Sequence, residues 1–220
     1  MTESLKNKKI RAKEIEKRLN KEIPDADTEL LHWDDPFKLV IAVALSAQTT
    51  DKMVNKVTPL LWDMFPTPQD LANADPVIVE QILRPIGFYQ NKTKNAINCA
   101  RMICDDFNGE VPQTMKELQK LPGVGRKTAN IVLNVAFDQV EGIAVDTHVF
   151  RISHKLKLSN AKTPAATEPD LLKVFDKDNW KTLNHQLVLF GRRTCTARNP
   201  KCIKCPLADL CPSNEAPSLF

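Results

Sequence analysis

Four cysteines close the chain in the pattern Cys195-x6-Cys202-x2-Cys205-x5-Cys211, all within its last 26 residues. Four thiolates in one short, proline-bounded loop can enclose a metal centre, because each ligand must be deprotonated and all four must converge. No other feature constrains the fold as much: this segment has to wrap around something, and a larger body has to hold it. A set of four cysteines suits Zn²⁺ or an iron–sulfur cluster. A zinc ribbon normally shows two C-x2-C pairs separated by a longer insert, and only one such pair exists here. The spacing is also not the ferredoxin run C-x2-C-x2-C-x3-C-P, which disfavours an electron-carrier module. The bland alternative is four unligated, reduced thiols.

That reading depends on a reducing compartment. Residues Met1 to Glu22 alternate Lys and Glu instead of presenting an apolar run, so neither a secretory signal nor an acidic-poor transit peptide fits. The longest apolar candidate, Leu39 to Ala47, ends at Gln48-Thr49-Thr50-Asp51, well short of the roughly 20 residues a membrane helix needs. The expectation is a soluble cytoplasmic protein with no membrane partner, in which disulfides are disfavoured. The net charge of +4 is unevenly spread: residues 1 to 22 carry eight Lys and Arg against four Glu, and residues 191 to 211 carry five against one Asp. Termini that fold together would make one positive surface suited to a polyanion. A solvated helix face is the plainer reading of the N-terminal run.

Only six glycines are present and the apolar positions recur at three and four, which predicts an all-α protein. Asp34-Asp35-Pro36 reads as the start of an apolar helix from Phe37 to Ala47, with aspartate as N-cap and proline fixing the first turn. Asp75-Pro76 repeats the device before Val79, Ile82 and Leu83, and Pro85 and Gly87 stop that helix. Ala96, Ala100, Ile103, Cys104 and Phe107 form one inward stripe, with Cys99 and Cys104 read as buried thiols. Pro112 leads a short helix through Met115 and Leu118. The turn Leu121-Pro122-Gly123-Val124-Gly125 follows, and then a helix from Thr128 to Phe137 with Ile131, Val132, Val135 and Ala136 inward. The proline-rich stretch from Thr163 to Pro169 reads as a loop before Leu171 to Phe175 and a helix around Leu183 to Phe190.

The turn between those two helices carries chemistry. Neither Gly123 nor Gly125 has a side chain to obstruct the backbone N–H groups, and the next helix begins there with its dipole favouring an anion. On its own such a turn is an ordinary αα-corner. Arg126-Lys127-Thr128 adds an amine directly after it, and Lys127 is a candidate nucleophile if its environment lowers its pKa, for which partial burial and the helix N-terminus are the expected means.

The run LPGVGRKTANIVLNVAF, followed by AVDTHVFR and then by the cysteine spacing, resembles the endonuclease III family of DNA glycosylases with an associated abasic-site lyase activity. The resemblance extends from about Asp34 through Pro212 and takes in SAQTTD, IGFYQNKTKNAI and NGEVP. It implies a two-lobed helix-hairpin-helix fold with a C-terminal iron–sulfur loop: a helical lobe over 29–140, and a second lobe made of 1–28 with 141–220, with the site in the cleft between them. By the same resemblance Cys195, Cys202, Cys205 and Cys211 would bind a [4Fe–4S] cluster, Lys127 would be the Schiff-base nucleophile and Asp146 the catalytic carboxylate. Gly123, Val124, Gly125 and Arg126 would hold DNA, and Lys201 and Lys204 in the cluster loop would dock it. Gln48 would fill the hole left by an extruded base. Phe88, where many relatives carry an aliphatic residue, would wedge the opposite strand. The implied substrate is double-stranded DNA carrying damaged bases, oxidised or ring-saturated pyrimidines above all, or abasic sites. The protein would act as a monomer, at the nucleoid if the source is a bacterium.

Each of these residues also has a plain reading: a helix N-cap for Asp146, a packed helix-end aromatic for Phe88, a capping or DNA-facing surface residue for His148. Two rival functions remain. An adenine-mismatch glycosylase of the same superfamily resembles the hairpin and cluster, but such relatives lack a lysine at the place of Lys127 and put a glutamate near where Gln48 stands. A non-catalytic DNA-binding module would not need Lys127 and Asp146 together.

Overall fold

A computed structural model of the chain describes residues 3–24 and 35–214. In chain order these form α1 (Leu5–Glu22), α2 (Pro36–Leu45), α3 (Asp51–Met64), α4 (Pro68–Ala72), α5 (Pro76–Leu83), α6 (Tyr89–Phe107), α7 (Met115–Leu118), α8 (Arg126–Phe137), α9 (Thr147–Lys155), α10 (Pro164–Val174) and α11 (Trp180–Arg193), with 3-10 turns at Cys202–Lys204 and Ala208–Leu210. Among the described residues there is no strand. Among the same described residues no helix is long and apolar enough to cross a membrane. The chain divides into two compact units, Glu29–Glu141 and Met1–Thr28 with Gly142–Phe220.

In the first unit α2 is the central rod. Asp35 caps it, accepting from Phe37 N at 2.9 Å and Lys38 N at 3.1 Å, and Pro36 supplies a first-turn φ at no cost in hydrogen bonds. Asp34, read with Asp35 as the helix start, lies outside the described residues, as does His32. Phe37, Leu39, Val40, Ile41, Ala42, Val43 and Leu45 are all buried, so the helix is apolar around its whole circumference and packs against α3, α6 and α8. Each of these side chains apart from Ala42 contributes about 1.5–3 kcal/mol through burial. Asp75 caps α5 at Val77 N, 2.9 Å, and α5 and α4 lie on α6. The stripe on α6 is as spaced, with Ala96, Ala100 and Ile103 buried; Cys99 is buried and Cys104 only half-buried. Burial pushes the Cys99 thiol up to about 12.

Three expectations are corrected in detail. The helix after the hairpin starts at Arg126, two residues earlier than Thr128, and its deepest face is Ala129, Val132 and Leu133, with Ile131, Val135 and Ala136 only partly buried. The short helix is capped by Thr114, whose hydroxyl accepts from Glu117 N at 3.2 Å, rather than led by Pro112. The helix from Phe37 stops at Leu45, so Ala47 belongs to the following turn.

The second unit gathers α1, α9, α10 and α11. Ala12, Ile15 and Leu19, one helical stripe of α1, meet Ile143, Val149, Ile152, Leu171, Leu183, Leu187 and Phe190 in a second core. The stretch Thr163 to Pro169 is not a loop: Thr163 caps α10 through Ala166 N at 3.3 Å, Pro164 opens it, and Pro169 sits inside it. Thr163-Pro164 is an N-cap followed by a first-turn proline, the same signal as Asp35-Pro36. Pro169 forfeits one backbone bond, which the burial of Thr167, Leu171 and Val174 offsets.

Candidate active site and metal centre

The hairpin joins α7 to α8 in the first unit. Leu121 and Val124 point into the core, 2% and 6% exposed, and Val124 N donates to Leu121 O at 3.0 Å, so the turn is anchored from below while Gly123 and Gly125 lie exposed. The two glycines serve different ends. Gly123 has φ +81, and a Cβ there would meet Asn95 Cβ at 3.1 Å, so any side chain at this place is strained and glycine is favoured. Gly125 has ordinary extended backbone, and a Cβ on it would meet nothing within 4 Å, so the fold itself does not require a bare backbone at that place. Gly125 is also the N-cap of α8, and no side chain caps the helix. Arg126 and Lys127 occupy the first turn and are exposed; the partial burial expected for Lys127 is not what the chain alone provides.

Gln48, Phe88 and Gly123 line one cavity of about 250 Å³ in the same unit, walled by Ile41, Ala44, Leu45, Ala96 and Cys99. Gln48 is exposed in the turn between α2 and α3 with φ 56, and Phe88 precedes α6 with φ 58. Phe88 is 67% exposed, so it is not a packed helix-end aromatic. Lys92 lies in the same cavity and was not singled out in the sequence, where it reads as one more surface lysine of α6.

Asp146 belongs to the second unit and caps α9, its Oδ1 accepting from His148 N and Val149 N, both at 2.8 Å. A carboxylate offers two oxygens and about four lone-pair sites, so capping and stabilisation of a cation are compatible on one group. His148 is half-buried against α11 and not a surface histidine: a Cβ on Gly191 would come within 2.8 Å of His148 Nδ1. Burial lowers its pKa, with Asp146 opposing and Arg151 and Arg192 assisting. Arg151 extends the chain of contacts, donating to Cys195 O at 2.7 Å and Gly191 O at 3.2 Å. Sequence reasoning missed Gly191 and Arg151. The only trace of either was a glycine interrupting an otherwise good helix pattern.

The four cysteines line a cavity of about 180 Å³ together with Arg151 and Lys155. Burial raises the pKa of Cys195, Cys205 and Cys211, and the neighbouring thiols raise each further, which places the four within electrostatic reach of one another. Thiolates in this loop therefore need a positive centre to offset their charge. Zinc would draw four thiolates to about 3.8 Å from each other. The cavity that all four cysteines line has room for a larger core as well. Arg151 Nε, a buried donor with no partner, lines this cavity and fits a group bearing sulfur acceptors. From α1, Arg11 donates to Leu156 O at 2.7 Å and Leu210 O at 3.2 Å, and Arg18 to Pro206 O at 2.9 Å. These arginines hold the cluster loop, so the N-terminal basic run is more than a solvated face. Lys201 and Lys204 are exposed.

Residues 41–177 match the HhH-GPD superfamily of base excision DNA repair proteins, and residues 195–211 match the iron–sulfur binding domain of endonuclease III. The chain is similar to endonuclease III of Synechocystis, 45% identical over 96% of this chain and 95% of that one. Among solved structures it is similar to a trapped covalent intermediate of endonuclease III with DNA, at TM-score 0.89 and 44% identity over 94% of this chain and 96% of the other. A non-covalent endonuclease III–DNA complex gives TM-score 0.88 and 43% identity over the same shares. The second match spans all four cysteines, so the cofactor is a [4Fe–4S] cluster rather than zinc, and Cys195, Cys202, Cys205 and Cys211 are the residues that would hold it. With the helix-hairpin-helix, the cluster loop and identity over nearly the whole length all pointing one way, the chain belongs to the endonuclease III family of the HhH-GPD superfamily.

Proposed function

We propose that this chain is a bifunctional enzyme on duplex DNA: it removes oxidised or ring-saturated pyrimidines and then cuts the abasic site by β-elimination. The observation that carries the reading is the hairpin, where a glycine-bare backbone leads into an uncapped helix N-terminus with Lys127 in its first turn. Backbone N–H groups and the helix dipole there suit a DNA phosphate. A phosphate held at Gly123 to Gly125 brings a sugar within reach of Lys127.

Removing a base leaves a positive charge spread over C1′ and the ring oxygen, which the Asp146 carboxylate stabilises. The Lys127 amine forms a bond to C1′ as the base departs with the glycosidic electron pair. Opening of the sugar ring then gives an imine between Lys127 Nζ and C1′. The imine makes the C2′ proton acidic; its loss expels the 3′ phosphate, and water releases the lysine. Lys127 and Asp146 must therefore act on one nucleotide, and that nucleotide must leave the helical stack, at a cost of a few kcal/mol that is smaller for a damaged base. Gln48 fills the vacated place and Phe88 presses on the opposite strand. When bound, the [4Fe–4S] cluster supplies iron–thiolate bonds that shape the loop, and Lys201 and Lys204 on that loop meet the DNA backbone. The substrate is DNA carrying damaged bases or abasic sites, and the enzyme works as a monomer.

Borohydride trapping on duplexes that each carry one different lesion tests the reading. The expected result is a covalent complex with oxidised pyrimidines and with abasic sites. Trapping with none of them would remove the lysine chemistry, and release of adenine opposite oxidised guanine without any trapped complex would favour the rival.

A further inference from the structure

One buried lysine is bonded to both of the turns that carry Gln48 and Phe88. The Lys92 ammonium donates to Thr49 Oγ1 at 2.6 Å, one residue from Gln48. Its backbone N–H donates to Phe88 O at 3.1 Å, closing the first turn of α6. Lys92 is 9% exposed, and burial holds its pKa below the ordinary lysine value. Among the described residues no carboxylate pairs with it.

Core packing gives no reason for a charge here. Ordering a lysine side chain costs about 1.5–2 kcal/mol in rotamer freedom, and a buried ammonium with one neutral partner is poorly compensated. Methionine would fill similar space at a similar rotamer cost but with no charge to bury. What the ammonium does accomplish is to tie the strained Gln48–Thr49 turn to α6, whose first turn starts from the equally strained Phe88. Gln48 and Phe88 both hold left-handed backbone that non-glycine residues adopt at about 1–3 kcal/mol each, and such residues persist only where their surroundings fix them. On its near side the Gln48 turn is held by Thr49 N to Ser46 O at 3.0 Å and by Ser46 Oγ to Val43 O at 2.9 Å. The bond from Lys92 reaches the same turn from a different helix.

We infer that Lys92 is a positioning residue of the base-extruding apparatus, locking the Gln48–Thr49 turn to the Phe88 end of α6 so that both side chains are presented as one rigid pair. This rests on the reading of Gln48 as the residue that fills the vacated base position. Lys92 touches no reacting atom in this scheme. Its effect is confined to the step in which a paired base is extruded, and a preformed abasic site, with no base to move, bypasses it.

The test compares excision of a paired oxidised pyrimidine with cleavage of a preformed abasic duplex for Lys92→Met, Thr49→Val, Thr49→Ser, Gln48→Ala and the Lys92→Met/Thr49→Val pair. Losing one hydrogen bond from a charged donor corresponds to about a tenfold effect. Lys92→Met and Thr49→Val are each expected to slow excision by about that factor while abasic cleavage stays within about twofold. Thr49→Ser, which keeps the hydroxyl, should restore excision, and the double variant should be no worse than either single one. Equal losses on both substrates, additive losses in the double variant, or wild-type excision by Lys92→Met would each overturn the inference. Thr49→Val carries the test alone if Lys92→Met does not fold. Should Gln48→Ala fail to separate the two substrates, the Gln48 reading falls and this inference with it; should Gln48→Ala separate them and Lys92→Met not, the inference alone falls.

Discussion

Lys127→Gln removes the amine while keeping a polar side chain in the exposed first turn of α8, where little packing is at stake. Trapped complex and strand nicking should vanish while binding to an abasic duplex, measured by fluorescence anisotropy, persists through the hairpin backbone. Asp146→Asn separates charge from shape. Asparagine is as good an N-cap as aspartate, so the bonds to His148 N and Val149 N can be kept and the melting temperature should hold. Excision should still fall by at least the roughly 10²-fold that follows loss of a charge-stabilising or acid–base group. A variant that melts early would mean that Asp146 matters as a cap and not as an anion. Lys127 and Asp146 were open to nomination from the sequence because they stand in short runs with a recognisable order. Lys92, Arg151 and Gly191 were not, because each draws its meaning from a partner distant in sequence: Thr49, Cys195 and His148.

The turn between α7 and α8 allows the glycines to be tested separately. Gly125→Ala adds a methyl where nothing lies within 4 Å and the backbone is ordinary, so the gain of about 0.4–1 kcal/mol from a stiffer unfolded chain is offset by the poorer N-cap that alanine makes, and stability should change little. If a phosphate approaches that backbone, duplex affinity should nonetheless drop about tenfold, the worth of one hydrogen bond to a charged group. Unchanged affinity would mean that the DNA lies elsewhere. A second element, α1, is joined to the cluster loop by Arg18 and Asp209, whose second contact is 3.0 Å. The Arg18 hydrogen bond holds Asp209 below the usual carboxylate range. A depressed carboxylate contributes stability that is present above its unfolded value, ordinarily near 3.8, and is lost as pH falls through the lower folded value. Acid should therefore loosen the loop, and Asp209→Asn should show less of this loss as pH falls below about 3.8 when the visible absorbance of the iron–sulfur cluster is followed. Helix starts read well from the sequence where an aspartate preceded a proline, as at Asp35 and Asp75. The same signal at Thr163 was masked by Pro169, since an internal proline ordinarily argues for a loop.

On the scale of the whole chain, the basic termini share one compact unit, and part of their charge is already committed. Arg11 and Arg18 are occupied by backbone carbonyls of the cluster unit and by Glu3 and Asp209. A polyanion is then left to the exposed bases, among them Lys201 and Lys204 beside the cysteines. Composition disclosed the sum but not this division of labour, because a charge count does not distinguish a guanidinium spent on a carbonyl from an ammonium facing water. The division has a measurable consequence. Neutralising a phosphate releases counterions and carries no sequence information, so replacing Lys201 and Lys204 by Gln should weaken damaged and undamaged duplexes by a similar factor. The slope of log affinity against log salt should flatten by about one unit for each phosphate that a lysine no longer neutralises. Arg11→Met acts on the other side of the division. It strips the donor from Leu156 O and Leu210 O, so its main effect should be faster bleaching under an iron chelator, with a salt slope close to that of the parent chain. If Arg11→Met flattened the slope as much as the two lysine changes while its iron stayed in place, the arginine would be facing DNA, and the assignment of α1 as the clasp of the cluster loop would be wrong.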